Sequence, residues 1–470
     1  MKCSLCTRLD KFMTRLLILL TFSITVTGCS PLPWRGANIE PPGFSLTTRQ
    51  TTIRPGSVLT LPEAIRIARA GNPQTVAARY LEQQAKAVRM QALSPALPQV
   101  KLSGRAARYL DPQRVASPSA TNPTAISVSS EDLGTWDAVV TLNLFAGGRD
   151  VWNFRMAQDL VGAARLDAEQ LERTVTTLVI AAYYQAVWRR AVAGALHASA
   201  SALEAETARV RTLLAQDKAS LLDVTRVQVR AAEVMDQART EDAQAELALL
   251  QLFHLLGLSA VPVKLEPPTE DPVGSVPSDD QLGWKEILSR RPDLKAARLR
   301  ISSQQAKVTS VQAELWPTLA LAGSFGQRVD ISGWPVEDGH WRNSGYLGLE
   351  MAWSPFEGGR IHYLVQQETA ALRVMVENLR AMELSAVLEI RTALARLRSA
   401  RDRLETARES LTLARTSLEL EKKKVELGQS TFTDFQLIES SFLDAQVRVL
   451  QLTAEVRIAW YQFRLAIGEL

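Results

Sequence analysis

The chain has 470 residues, 46% of them hydrophobic, 22% charged and 6% aromatic, and carries a formal net charge of +4. Of that charge, +3 lies in the first 28 residues, where Lys2, Arg8, Lys11 and Arg15 outnumber Asp10. The rest is close to neutral, so the high isoelectric point is no argument for nucleic acid, and no later apolar run approaches the roughly 18 residues of a transmembrane helix.

The basic stretch leads into an apolar run from Leu16 to Val26 that is too short to cross a bilayer. That is the pattern of a secretory signal, expected over residues 1–28. It ends in Val26-Thr27-Gly28-Cys29, which resembles a bacterial lipobox, so Cys29 is expected to carry acyl chains after cleavage. Cys3 and Cys6 fall in the discarded segment, which leaves no disulfide possible within one mature chain. Ser30 follows, and a residue other than Asp there implies sorting to the outer membrane. Residues 29–60 then read as a lipid-anchored linker.

Proline marks the organisation that follows, since all 21 prolines lie outside Thr124 to Val261 and Phe356 to Leu470. Each stretch is rich in strong helix formers and predicts a long helix with its return partner. The chain is also written twice. Pro73, Ala77, Ala78, Arg79 and Pro98 recur 219 positions later as Pro292, Ala296, Ala297, Arg298 and Pro317. Phe145, Gly147, Gly148 and Arg149 recur at an offset of 211 as Phe356, Gly358, Gly359 and Arg360, as do Asp223 in Asp434 and Gly257 in Gly468. The first copy therefore holds eight extra residues between Pro98 and Phe145, assigned to a surface loop from Asp111 to Gly134.

Repeat 1 is expected over 61–260, with a helix, a β-hairpin near 99–145, a long helix over 149–216 and a return helix over 221–257. A Pro-rich linker covers 261–281. Repeat 2 covers 282–470, with a helix, a hairpin near 318–354, a long helix over 360–427 and a return helix over 432–467. Gly147, Gly148, Gly358 and Gly359 make the strand-to-helix turns.

The hairpin segments alternate with a period of two: Val100, Leu102, Gly104 and Ala106 against Lys101, Ser103 and Arg105, then Val140, Leu142 and Leu144 against Thr141 and Asn143. Leu319, Leu321 and Phe325, then Leu347, Leu349, Met351 and Trp353, repeat this in the second copy. Four strands of about nine to eleven residues with one greasy face suit a tilted outer-membrane barrel. Four strands cannot close one, so closure is expected from other copies of the chain. Leu397, Leu404, Leu411, Leu418 and Val425 recur every seven residues with Ala400, Ala407 and Ala414 between them, a coiled-coil seam with small partners. Arg401, Arg408, Arg415 and Lys422 flank it as a solvated edge.

These features in this order, with Asn72-Pro73, Arg291-Pro292-Asp293-Leu294, Trp316-Pro317, the Phe-x-Gly-Gly-Arg turns and the stretch from Leu427 to Asp434, resemble the TolC-like outer membrane factor family over Leu61 to Gly468. The resemblance implies an α+β membrane protein: a homotrimer in outer-membrane lipid whose twelve-stranded barrel, four strands per chain, continues as a long α-helical coiled-coil barrel in the periplasm. It further implies a tip, at Asp217, Lys218, Ser220, Gly428, Gln429, Ser430 and Thr431, that docks a periplasmic adaptor serving an inner-membrane pump of the RND type. Asp434 falls where the family commonly places an aspartate at the periplasmic aperture; its other reading is a helix-start carboxylate favoured by the dipole. Asp223, its counterpart, reads as a tip or capping residue.

Enzyme chemistry is not expected. His197, His254, His340 and His362 have no metal-ligand spacing, and the Gly-Gly-Arg turns match no phosphate-binding motif, so no cofactor or metal is assigned. Trp334 and Trp341, in the second hairpin loop, are expected at headgroup level or as part of the extracellular mouth. Within the duct class the first reading is efflux of drugs or other small toxic solutes, and the second is type I protein secretion. A lipid-tethered periplasmic coiled coil without a pore is the reading of another class.

Overall fold

The structure is a computed structural model that describes residues 53–113, 130–217, 219–267, 274, 276–277, 283–330, 342–427 and 429–469. Cys29, Lys218, Gly428, Trp334 and Trp341 lie outside the described residues, as does most of the loop expected from Asp111 to Gly134.

In chain order the elements are β1 (Val58–Leu59), α1 (Leu61–Gly71), α2 (Pro73–Leu93), β2 (Gln99–Gln113), β3 (Ser130–Ala146), α3 (Arg149–Leu214) and α4 (Leu221–Leu256). The second half repeats them with β4 (Lys264–Leu265), α5 (Trp284–Arg290), α6 (Pro292–Gln312), β5 (Thr318–Asp330), β6 (Arg342–Ala352), α7 (Arg360–Glu426) and α8 (Phe432–Ala466). The 66 and 67 residues of α3 and α7 span roughly 100 Å at about 1.5 Å per residue.

Two local outcomes differ from the sequence reading. The one helix expected before the first hairpin is two, because a residue before proline is driven out of the helical region. Asn72 is extended, with φ −62 and ψ 126, and its Oδ1 accepts from Gln74 N at 2.8 Å to start α2. Its Nδ2 donates to Leu255 O at 2.7 Å, tying the joint to the end of α4. The second repeat uses another side chain for the same tie: Arg291 Nη1 donates to Ala466 O at 2.9 Å. Burial opposes the Arg291 charge, but hydrogen bonding to Asp293 and the nearby Glu389 carboxylate more than offset it, so the guanidinium is held above its ordinary pKa.

Three of the strands are also longer than expected, at 15, 17 and 13 residues, because backbone pairing continues past the apolar stretch into polar sequence, while β6 has 11. Asp111 to Gln113 and Ser130 to Gly134, read as loop, are strand.

The four long strands form one antiparallel sheet in the order β2-β3-β5-β6, leaving β2 and β6 as its edges. Its register sorts the side chains by face. Val100, Leu102, Val140, Leu142, Leu321, Phe325, Leu347, Leu349 and Met351 share one face, and Lys101, Ser103, Arg105, Thr141, Ser324 and Glu350 share the other. Much of the apolar face is bare: Leu102 is 75% exposed, Leu347 64% and Met351 68%.

The helical core gathers where α1, α3, α4 and α8 meet, around Ile67, Val179, Tyr183, Leu252, Phe253 and Leu256. The Tyr183 hydroxyl lies 2.8 Å from Leu59 O and 2.7 Å from Glu266 O, between the paired β1 and β4 ends of the two linkers. Burial pushes its pKa up to about 12. In the second repeat the seven-residue seam is seated as a core: Leu397 is fully buried and Ala400, Leu404, Ala407 and Leu418 are buried with it. No helix among the described residues is long and apolar enough to cross a membrane.

Candidate transport path and its two ends

At the sheet, the apolar face is bounded at both ends by aromatic rings. Trp136 and Phe325 pack edge to face at 5.8 Å, and beyond them Trp136 Nε1 donates to Gln327 Oε1 at 3.3 Å while Gln327 Nε2 donates to Asn343 Oδ1 at 2.9 Å. At the helix end stand Phe145, Trp316, Trp353 and Phe356, all exposed. Nine positions separate Trp136 from Phe145 along β3. At about 3.3 Å per residue and a tilt of about 40° that is roughly 23 Å, close to the ~25 Å apolar band of an outer-membrane barrel.

From this sheet the chain enters the helices through two glycine turns. Gly147 and Gly148 have φ of 65 and 83, Gly358 and Gly359 of 61 and 83, in the left-handed region where a Cβ is strained. The turns answer to a mechanical need, a tight passage from strand into long helix.

At the far end lie the turns joining each long helix to its return helix. Asp217 has φ 55, the one positive value among described residues other than glycine. Ser220 caps α4: its N and Oγ donate to Asp223 Oδ2 at 3.0 and 2.6 Å, and its Oγ accepts from Asp223 N at 3.1 Å. The Ser220 hydroxyl, and after it the Ser220 amide, hold the Asp223 carboxyl below its ordinary pKa. Thr431 caps α8 in the same way, donating from Oγ1 to Asp434 Oδ2 at 2.6 Å and accepting from Asp434 N at 3.2 Å. Asp434 is exposed at the third position of α8, where a carboxylate also complements the helix dipole. Gln429 N donates to Lys424 O at 2.8 Å, and the Ser430 hydroxyl donates to buried Glu421, which pairs with Lys424 at 3.6 Å.

Sequence reasoning missed the polar seam that α8 makes with α4 and with the long helix α3 near this tip. Arg226 Nη1 donates to Thr433 Oγ1 at 3.2 Å, Arg230 Nη2 to Ser440 Oγ at 3.0 Å, and Ser199 Oγ to Glu439 Oε1 at 2.5 Å. Only the pairing of two helices more than 200 residues apart in sequence makes it visible.

Residues 284–469 match the family model described as Outer membrane efflux protein. The pyoverdine export outer membrane protein OpmQ of Pseudomonas aeruginosa is 25% identical over 323 residues, covering 66% of this chain. The chain spans 64% of that relative's length. Among solved structures, the outer membrane protein VceC of Vibrio cholerae superposes with a TM-score of 0.69 at 19% identity, over 87% of this chain and 96% of that one. The CmeC outer membrane channel of Campylobacter jejuni gives 0.71 at 16% identity, over 92% and 94%. A four-stranded sheet with a bare apolar face, set on helices of this length and written twice, is the fold of these channels, and residues 284–469 of the chain resemble the outer membrane efflux protein family.

Proposed function

We propose that three copies of the chain close into a twelve-stranded barrel continued by a helical tube, and that this assembly is the passive exit duct of a tripartite efflux system for small toxic solutes or drugs. The observation that carries the reading is the open sheet. β2 and β6 are unpaired edges beside an exposed apolar face, and an open edge in lipid leaves backbone groups unsatisfied at several kcal/mol each. Other copies must complete the ladder.

The duplication says how they meet. Within the chain α6 packs on α3, with Ser303 Oγ donating to Met156 O at 3.1 Å and Ser302 Oγ to Asp159 Oδ2 at 2.7 Å. The equivalent packing of α2 on α7 is not made among the described residues, and Tyr80 and Leu81 on α2 and Leu384 and Leu388 on α7 are left exposed. A neighbouring copy supplies that contact. The turns from Asp217 to Ser220 and from Gly428 to Thr431, with exposed Leu221, Leu222, Leu427 and Leu437 beside them, form the tip that docks a periplasmic adaptor and, through it, an inner-membrane pump of the RND type. The printed names of the family and of its pyoverdine-exporting relative support solute efflux. Cys29, acylated, tethers each copy to the membrane by the usual arithmetic of buried methylenes.

Purified in detergent, the protein is expected at the mass of three acylated chains, with Cys29→Ser at the mass of three bare ones, and it should migrate differently on gels when heated. A lone folded subunit would sink this reading. In planar bilayers Asp434→Ala is expected to raise single-channel conductance, because three carboxylates converging on the axis hold cations and repel one another. Unchanged conductance would return Asp434 to the capping role its bond with Thr431 already gives it.

A further inference from the structure

We propose that the copies join in one fixed register, with Glu350 on β6 of one chain paired to Arg105 on β2 of the next, and that this ion pair selects the ring. The proposal rests on the three-copy reading above and adds the residues that make the joint.

The duplication supplies the register. In the two hairpins Val100 stands opposite Val140 and Leu319 opposite Met351, so the offsets of 219 and 211 hold strand by strand. The joint between the repeats, β3 against β5, sets Val139 opposite Ser324. Its counterpart between copies is β6 against β2, where Glu350 takes the place of Val139 and Arg105 that of Ser324. A neutral pair within the chain thus becomes a charged pair between chains. The same register puts Leu349 and Met351 opposite Ala106 and Gly104, large side chains against small ones on the apolar face. A slip by one residue would carry the greasy side chains of β6 onto the polar face, and a slip by two would leave Glu350 opposite Ser103 or Ala107.

Both groups are exposed on the polar face, and neither has a charged partner among the described residues. Arg105 stands opposite Thr135. The carboxylate diagonal to it, on Asp137, lies over Gly326 of β5, on the side away from β2. Glu350 stands opposite Ala320, with Thr318 and Ala322 as its diagonal neighbours, so no cation on β5 is beside it. Its one hydrogen bond among the described residues is from the Tyr346 hydroxyl, at 2.8 Å.

The signs also choose the kind of assembly. A two-fold pairing of β2 with β2 is antiparallel too, but it would bring Lys101 and Arg105 of one copy against those of the other, and like charges facing each other across strands destabilise a sheet. A cation on one free edge and an anion on the other favour the head-to-tail joint, which is the joint that closes into a ring.

The test is disulfide cross-linking of the full-length protein in its membrane, read on non-reducing gels with the single-cysteine variants as background. Positions 105 and 350 of one chain lie on opposite edges of the sheet, at least three strand spacings or roughly 14 Å apart, so a bridge between them joins two copies. Arg105→Cys with Glu350→Cys should cross-link about tenfold more than Ser103→Cys with Glu350→Cys, whose diagonal separation of about 7–8 Å is too long for a disulfide. In a second arm, Arg105→Glu should lower the yield of heat-sensitive trimer about threefold or more, and adding Glu350→Arg to it should restore the yield. Cross-linking through Ser103 that equals or exceeds that through Arg105, or a trimer that cross-links through neither, overturns the register and leaves the duct standing. A charge swap that fails to restore the trimer overturns the ion pair. A native protein that runs as a lone subunit overturns the three-copy reading, and the joint falls with it.

Discussion

Leu347→Arg is expected to abolish the assembled barrel, while Ser324→Arg leaves it intact. Leu347 is 64% exposed on the apolar face, and its level, shared with Gly323 and Val140, lies midway between the aromatic rows at Trp136 and Phe145. A guanidinium at the lipid midplane of an outer-membrane barrel costs about 2–4 kcal/mol, and three copies bring that to roughly 6–12 kcal/mol per assembly. Ser324 is the strand partner of Tyr346, one residue from Leu347, but belongs to the polar face. An arginine there meets water. The measurement is the fraction of protein migrating as a heat-sensitive trimer after membrane extraction. Equal trimer yields for the two variants, or loss in Ser324→Arg alone, would mean that the apolar face does not meet lipid.

How much of this was legible in the sequence depends on how far apart the cooperating residues stand. The long helices and the doubling were plain, because proline-free stretches and fixed offsets such as Gly147 to Gly358 are one-dimensional facts. The alternation of Val100 and Leu102 with Lys101 and Ser103 showed which strand faces differ. The capping pairs were equally local: Ser220 with Asp223 and Thr431 with Asp434 are each three residues apart, the spacing at which a side chain reaches the third amide of a helix. The joint at Asn72 was half legible, since Pro73 marked the place but not the bond from Asn72 to Leu255 across 183 residues.

What could not be read was set by pairing between the repeats. The β3 to β5 register joins segments nearly 200 residues apart, so Thr135 beside Arg328 has no trace in either local pattern. The same holds for Tyr183, one aromatic in a long helix until Leu59 and Glu266 close on its hydroxyl.

The duplication makes one more prediction, and it separates folding of the chain from assembly of the duct. Gly147 and Gly358 occupy matching turns with matching φ of 65 and 61, so alanine strains each backbone by about 1–2 kcal/mol. Their surroundings differ. A Cβ on Gly147 would stand 2.4 Å from Ala313 O and 2.9 Å from Trp316 Cβ, both fixed at the entry to β5, whereas a Cβ on Gly358 meets nothing within 4 Å. Overpacking against atoms that cannot rotate away adds about 1–3 kcal/mol, so Gly147→Ala should lower the stability of the folded chain by about 2–5 kcal/mol in all. Under the repeat, Ala313 and Trp316 correspond to Ser94 and Leu97, and the only Ser94 and Leu97 able to cover Gly358 belong to the next copy. Gly358→Ala should therefore fold with a loss near the backbone strain alone and yet form trimer poorly. Chemical unfolding followed by trimer yield in detergent distinguishes the two: equal folding losses for both variants would contradict the asymmetry within the chain. Normal trimer yield from Gly358→Ala would mean that the second turn is left uncovered and that the copies do not meet as the two repeats do.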